Sequence, residues 1–414
     1  MFSIPCTEEN KKKMIQFVNQ SESFFCLLNA NQYNDPFTAH NWKLSFGNRI
    51  LLKNNTLNSF DELRDFHTKS THPIYGFLSY DLKNEVEKLS SKNIAHIEFP
   101  SIFFFEEEIS IEEKNGMLTS ASAIDIDWIE NNKDEQQTVK SSSIVQYVSK
   151  TEYIENVNKI QQHILDGDVY EMNYCIPFEI KDINIDPIEL YFKLNERSPN
   201  PFSGILKIDH LYILSASPER FLRREGNKVI SQPIKGTIKR TADIEKDKQA
   251  LLNSEKERAE NVMIVDLVRN DLTKTAVTGS VRVDELFGIY SYPQLHQMIS
   301  TISAEINPQF DSIDVLKSTF PMGSMTGAPK VKAMELIEKY ESFKRGAYSG
   351  AMGYIDKQGN FDFNVLIRSI FIDTKTNTFC FNVGSAITLD SNPEEEYEEC
   401  LLKAKAIMSV VGNE

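Results

Sequence analysis

The sequence predicts an α+β protein. Two patterns carry that expectation. Aromatic-rich, alternating runs fill roughly the first 128 residues, and further on strand runs and helical periodicities mix without regular β-α-β alternation. The chain shows neither an internal repeat nor a low-complexity tract, which excludes solenoids and fibres.

Taken in order, YGFLSYDL (75–82) and HIEFPSIFFFEEEISI (96–111) read as strands separated by polar loops. IENNKDEQQTVKSSSIVQ (129–146) is polar and has no apolar period, so it reads as a linker or exposed loop. It divides the chain into regions 1–140 and 141–414, which are expected to form one intertwined unit. Residues 151–167 put Ile154, Val157, Ile160, Ile164 and Leu165 at helical spacing, with Gly167 as a stop. Strands are expected at 202–217 (FSGILKI and HLYILSAS) and 379–389 (FCFNVGSAITL), and helices at 244–270, 329–342 and 393–411.

Composition narrows the function classes. The 414 residues include 60 acidic and 45 basic side chains, a formal charge of −15, which argues against nucleic acid or anionic membrane as partner. No apolar run approaches the ~20 residues that span a bilayer. The start, MFSIPCTEENKKKM, lacks a signal-peptide core, and a cytoplasmic location is expected. Five scattered cysteines without C-x-x-C spacing fit reduced thiols, not a zinc site or a disulfide framework. No H-x-x-x-H occurs either, so a metal here would be held by oxygen ligands.

Several segments could carry chemistry. In ERAENVMIVDLVRND (257–271), apolar residues surround the axis, which predicts a buried helix. Glu257, Glu260, Ile264 and Val268 share one face, so two carboxylates need a partner there. Salt bridges to Lys256 or Arg258 at a solvated helix start would satisfy them equally well. In NPEEEYEECLLKAKAIM (392–408), Tyr397, Leu401, Ala404 and Met408 form the expected core stripe, while Glu396, Glu399 and Lys403 lie on another face. That second acid set is either a solvated face with an i,i+4 ion pair or half of a Mg²⁺ site.

PMGSMTGAPKVKAMELI (321–337) is a glycine-rich turn before a helix, but it lacks the phosphate-loop pattern G-x-x-x-x-G-K-[ST]. It is either an anion site at a helix N-terminus or an ordinary turn with Pro329 at the first helical position. Gly384 and Ser385, in FNVGSAI, mark a strand end where backbone can approach a ligand. Lys235, in SQPIKGTIKR (231–240), sits on a strand reaching a turn; a dry site or a neighbouring cation would lower its pKa and make it a nucleophile. Glu219, in SASPERFL, is an acid at a strand end, a position more often structural than catalytic.

Together these segments resemble the chorismate-binding enzymes. The resemblance runs through GFLSYDL (76–82), GDVYEMN (167–173), SASPERF (215–221), PIKGT (233–237), KERAENVMIVDLVRNDL (256–272), GSMTGAPK (323–330), RGAYSGAMGY (345–354) and NPEEEYEECLLKA (392–404). It implies two large antiparallel sheets packed as a sandwich with peripheral helices, the active site lying in the cleft. Region 1–140 would then be the component I-like N-terminal part and 141–414 the chorismate-binding part.

The resemblance also implies roles. Glu257, Glu260, Glu396 and Glu399 would hold Mg²⁺ against the ring carboxylate of chorismate, which Lys403 also neutralises. Tyr348 and Arg368 would bind the enolpyruvyl carboxylate, assisted by backbone at Gly384 and Ser385. Ser324 stands where the family often has Thr. Glu219 would protonate the departing C4 hydroxyl as Lys235 attacks C2. Lys235 stands where anthranilate synthases carry Ala, which implies the aminodeoxychorismate synthase branch. Glu171 takes the place of a water-activating lysine in isochorismate synthases. Relatives often carry His where this chain has Gln297; Gln297 is a hydrogen-bonding substitute, or the register shifts by one to His296. No cysteine has a glutaminase context, so ammonia would come from a separate glutamine amidotransferase subunit. Anthranilate synthase component I and a non-catalytic chorismate-fold binding protein are the competing expectations.

Overall fold

The computed structural model describes residues 2–33, 35–54, 57–124, 143–292 and 295–411. Two antiparallel sheets dominate it. The twelve-stranded sheet runs Phe2–Pro5, Met117–Ser120, Ile109–Lys114, Trp42–Phe46, Phe24–Asn29, Phe202–Ile208, Leu211–Ser217, Ser369–Asp373, Thr378–Ile387, Glu171–Lys181, Gly327–Ala328, with Ser143–Gln146 also on Glu171–Lys181. The ten-stranded sheet runs Ile234–Lys239, Leu295–Glu305, Lys228–Gln232, Arg220–Glu225, Phe361–Asn364, Ala351–Ile355, Ile74–Leu78, Ile102–Glu106, Ile50–Lys53, with Arg282–Ser291 also on Leu295–Glu305. Each sheet draws strands from both the early and the late parts of the chain, and the α+β expectation holds.

Period-2 alternation builds two cores from one sheet. In Phe24–Asn29, Cys26 joins the cluster that also contains Tyr75, Phe77 and Phe104 of the other sheet. Phe25 and Leu27 point the other way, into a cluster with Met14, Ile15 and Val18 of the helix Glu8–Ser21. The helices Lys150–Leu165, Pro187–Arg197 and Pro393–Val410 contribute to that second core through Val157, Leu190 and Ala404. The ten-stranded sheet receives Glu255–Thr273 against Leu295–Glu305, fixed by the Ser300 hydroxyl donating to Asn261 Oδ1 at 2.6 Å.

Some sequence expectations need correction. The expected helix 244–270 is two helices, Ile244–Leu252 and Glu255–Thr273, with Ser254 capping the second by accepting from the Glu257 N–H. The second is not buried all round. Glu260, Asn261, Ile264, Val265 and Val268 are buried, whereas Val262 is 41% exposed, because only one side of the helix faces the sheet. In Pro393–Val410 the buried stripe is Tyr397, Cys400, Ala404 and Ile407; Leu401 and Met408 are only partly buried. Residues 129–142 of the expected linker lie outside the described residues, and its last four, Ser143–Gln146, form a strand. Among the described residues no helix is long and apolar enough to cross a membrane.

Candidate functional site

An ion pair links the two sheets. Lys235 belongs to the ten-stranded sheet and Glu171 opens Glu171–Lys181 of the twelve-stranded sheet; Lys235 Nζ donates to Glu171 Oε1 at 2.5 Å. Both side chains are buried, and Glu171 Oε2 has no hydrogen-bond partner. Burial alone would lower the Lys235 pKa, but Glu171, Glu260 and Glu219 outweigh it and hold the ammonium above its ordinary value. This corrects the expectation of a lowered pKa. The dry site is real, but the neighbours are anions.

Glu219 stands just before Arg220–Glu225 and lines a cavity with Ser231, Val268, Asp271, Gly323 and Ser324. Burial pushes its pKa up to about 7, and Ser324 and Lys235 temper the rise. The Ser324 hydroxyl is itself buried and forms no well-made hydrogen bond. A carboxyl that keeps its proton near neutral pH can act as a general acid.

Ser324 is delivered by the glycine-rich turn, which is zipped to the edge of Glu171–Lys181. Glu171 lies opposite Ala328 and Met172 opposite Gly327, and the Asn173 N–H donates to Thr326 O at 2.8 Å. Pro329 is the N-cap of Lys330–Tyr340 and not its first helical residue. Lys330 is buried against Asp271 and donates to Pro321 O at 2.8 Å.

The four glutamates divide into two states. Glu260 is buried with Oε1 unpartnered, and its pKa rises to about 7 from burial, with Glu171 and Glu257 adding to it and Lys235 opposing it. Glu257 is raised by burial and by Glu399. Glu396, by contrast, accepts from Lys256 Nζ at 3.0 Å, from Ser391 Oγ at 2.9 Å and from the Ser385 hydroxyl. Glu399 pairs with Lys403 at 2.7 Å, and that lysine holds its pKa down. Among the described residues no three acidic, His or Cys side chains converge as a ready-made metal site.

Lys403 also donates to Gly384 O at 2.9 Å, and Arg368 Nη1 donates to Lys403 O at 3.0 Å. Tyr348 is buried with its hydroxyl 3.6 Å from Cys175 Sγ. Arg368 (φ 53°) and Ser349 (φ 61°), the residue after Tyr348, take the left-handed conformation that non-glycine residues avoid. Gly384 lies opposite Cys175; a Cβ there would stand 2.4 Å from Cys175 Sγ.

Gln297 is buried opposite Thr237, and its Oε1 has no partner. His296 and Gln297 point to opposite faces of their strand. His296 faces the helix Ile244–Leu252, its Nε2 3.9 Å from Asp247 and its Nδ1 2.9 Å from Ser291 Oγ. One residue cannot stand in for the other.

The sequence reading named Glu171 only as a replaced lysine and missed its pairing with Lys235. It also passed over Arg345, although RGAYSGAMGY contains it. Arg345 and Glu341 form a fully buried ion pair at 2.6 Å. An arginine inside an apolar-aromatic segment was the available signal.

Comparison with known proteins identifies the family and the fold. The pattern of the chorismate binding enzyme family matches residues 25–409. Aminodeoxychorismate synthase component 1 of Escherichia coli (strain K12) is 35% identical over 346 residues, 80% of this chain and 75% of that protein. Anthranilate synthase component 1 of Saccharolobus solfataricus is 34% identical over 341 residues, 81% of this chain and 80% of that protein. The crystal structure of anthranilate synthase component I from Streptococcus pneumoniae TIGR4 superposes with a TM-score of 0.76 at 24% identity, covering 93% of this chain and 92% of that one. The fold is therefore that of anthranilate synthase component I, and the chain belongs to the chorismate binding enzyme family, as a chorismate-utilising enzyme of the aminodeoxychorismate and anthranilate synthase type.

Proposed function

We propose that this protein is a cytoplasmic aminodeoxychorismate synthase component I. It would convert chorismate and ammonia to 4-amino-4-deoxychorismate and retain the pyruvyl group. The observation that carries this reading is Lys235, buried and paired with Glu171 at 2.5 Å, with Glu219 and Glu260 also acting on its charge.

In this scheme Lys235 first gives a proton to Glu171, which is already in contact with it. The free amine attacks C2, both ring double bonds shift (C1=C2 to C1=C6 and C5=C6 to C4=C5), and the C4 hydroxyl leaves as water with the proton held by Glu219. Ammonia then attacks C4 and the C2–nitrogen bond breaks, releasing Lys235. The new ammonium at C4 returns a proton to Glu219, and Glu171 returns its own to Lys235. One hard displacement becomes two easier ones. Tyr348 and Arg368 would bind the enolpyruvyl carboxylate, with Gly384 and Ser385 backbone beside them.

Glu257, Glu260, Glu396 and Glu399 would hold Mg²⁺. Their chemistry fits: Glu260 Oε1 is buried without a partner, and Glu257 and Glu399 repel each other, strains that a divalent cation relieves. Glu396 and Glu399 would first release Lys256 and Lys403. When bound, Mg²⁺ neutralises the ring carboxylate and draws charge toward it. A separate glutamine amidotransferase subunit would supply ammonia.

The deciding experiment incubates purified protein with chorismate, ammonium and Mg²⁺. Formation of 4-amino-4-deoxychorismate without pyruvate is expected. Fluorescent anthranilate with pyruvate release would overturn the assignment in favour of anthranilate synthase. No chorismate consumption, even with a glutaminase present, would favour a binding protein.

A further inference from the structure

Arg345 uses its whole guanidinium inside the protein. Nε and Nη2 donate to Glu341 at 2.9 and 2.6 Å, Nη1 to Met325 O at 2.6 Å and Ser349 Oγ at 3.3 Å, and Nη2 to Asn173 O at 3.2 Å. Its carbon centre lies 4.7 Å from the Tyr80 ring centroid. Glu341 in turn accepts from the Cys175 N–H at 2.9 Å.

Each of these contacts is adjacent to a site residue. Met325 follows Ser324 in the glycine-rich turn. Asn173 is two residues beyond Glu171, and Cys175 lies opposite Gly384. Ser349 follows Tyr348. The ring below comes from GFLSYDL, a motif the chemistry otherwise leaves without a task, and Gly346 O ties that segment down by accepting from Ser79 Oγ at 2.8 Å and Tyr80 N at 2.9 Å.

We infer that Arg345 is a positioning residue: its fork, braced by Glu341 and Tyr80, sets where Ser324, Glu171 and Tyr348 stand relative to one another. The inference rests on the chorismate-converting reading above. A lysine could keep the charge but has no planar fork to reach Met325 O and Asn173 O together. A misplacement of about 1 Å in such a site costs on the order of 10²-fold in rate.

Two variants separate positioning from mere support. Arg345→Lys keeps a cation beside Glu341. The double variant Glu341→Met, Arg345→Met removes the pair and fills its space with apolar side chains, an exchange that buried pairs often tolerate in stability. Both are expected to melt within a few degrees of wild type. Their kcat/KM for chorismate should fall by about ten- to a hundredfold. The loss should be split, with KM raised through Tyr348 and kcat lowered through Ser324 and Glu171. A stable double variant with wild-type kcat and KM overturns the inference. If wild type consumes no chorismate, the proposed function fails separately, and calorimetric chorismate binding takes over as the readout. Weakened binding by the folded variants then supports positioning, and unchanged binding overturns it.

Discussion

Lys235 and Glu171 form a buried ion pair, 2.5 Å between Nζ and Oε1, that joins the two sheets at the site. The pair stabilises the ammonium and so works against an unassisted nucleophile. Lys235→Ala should lower chorismate consumption with ammonium by at least about 10³-fold. Intact-protein mass spectrometry of wild type with chorismate and no ammonia should show an adduct on Lys235. Equal chorismate loss in wild type and variant would remove the lysine from the mechanism.

Glu219 gives a pH signature. Its pKa is raised to about 7 by burial, so the acid form exists below that pH and is lost above it. The rate of C4 hydroxyl departure should therefore fall on the alkaline side of about pH 7. Glu219→Gln should be slower by about 10²- to 10⁴-fold and should lack that limb. A wild-type profile flat from pH 6 to 9 would exclude Glu219 as the acid.

Glu260 should separate stability from activity. Its folded pKa lies above the unfolded value, so charging it as pH rises costs folding stability. Glu260→Gln should raise the melting temperature of metal-free protein by about one to three degrees at pH 8. The same variant should lose Mg²⁺-dependent activity. Calorimetry with and without Mg²⁺ checks both, and a variant still activated by Mg²⁺ would take Glu260 out of the metal set.

Gly384→Ala tests the strand end beside Lys403. The new Cβ would stand 2.4 Å from Cys175 Sγ and 3.0 Å from Tyr174 O, and the backbone oxygen cannot rotate away. Overpacking should destabilise the protein by about 1–3 kcal/mol in urea melts and raise KM for chorismate. An unchanged KM would mean that this strand end does not face the substrate.

What could be read from sequence followed local periodicity. The helix Lys150–Leu165 and the strands Phe202–Ile208 and Leu211–Ser217 fall within a residue or two of their patterns. The break at Asn253 and Ser254 was missed because the apolar count runs across it, whereas the Ser254 cap is a single side chain. Motif order located Glu219, Lys235 and the four glutamates along the chain. The i,i+4 pair of Glu399 with Lys403 was one of the two readings of its helix, but the hold of Lys256 on Glu396 was not legible, since ion pairing between elements leaves no periodic trace. The raised Lys235 pKa was illegible for the same reason. Its main cause lies 64 residues away, on another sheet.

The interleaving of the two sheets has a consequence for biosynthesis. Thr378–Ile387 is the antiparallel partner of Glu171–Lys181 over nine residue pairs, and also of Ser369–Asp373. Until that late segment has left the ribosome, the long, buried strand Glu171–Lys181 lacks this neighbour and exposes an apolar edge. Synthesis therefore passes through a sticky stage that lasts until residues 379–387 emerge. A nascent chain stalled before residue 378 should recruit chaperones and bind hydrophobic dyes, whereas one released at full length should do neither. A nonsense allele that removes the segment from residue 378 onward would yield clearance by proteolysis, not a weakened enzyme.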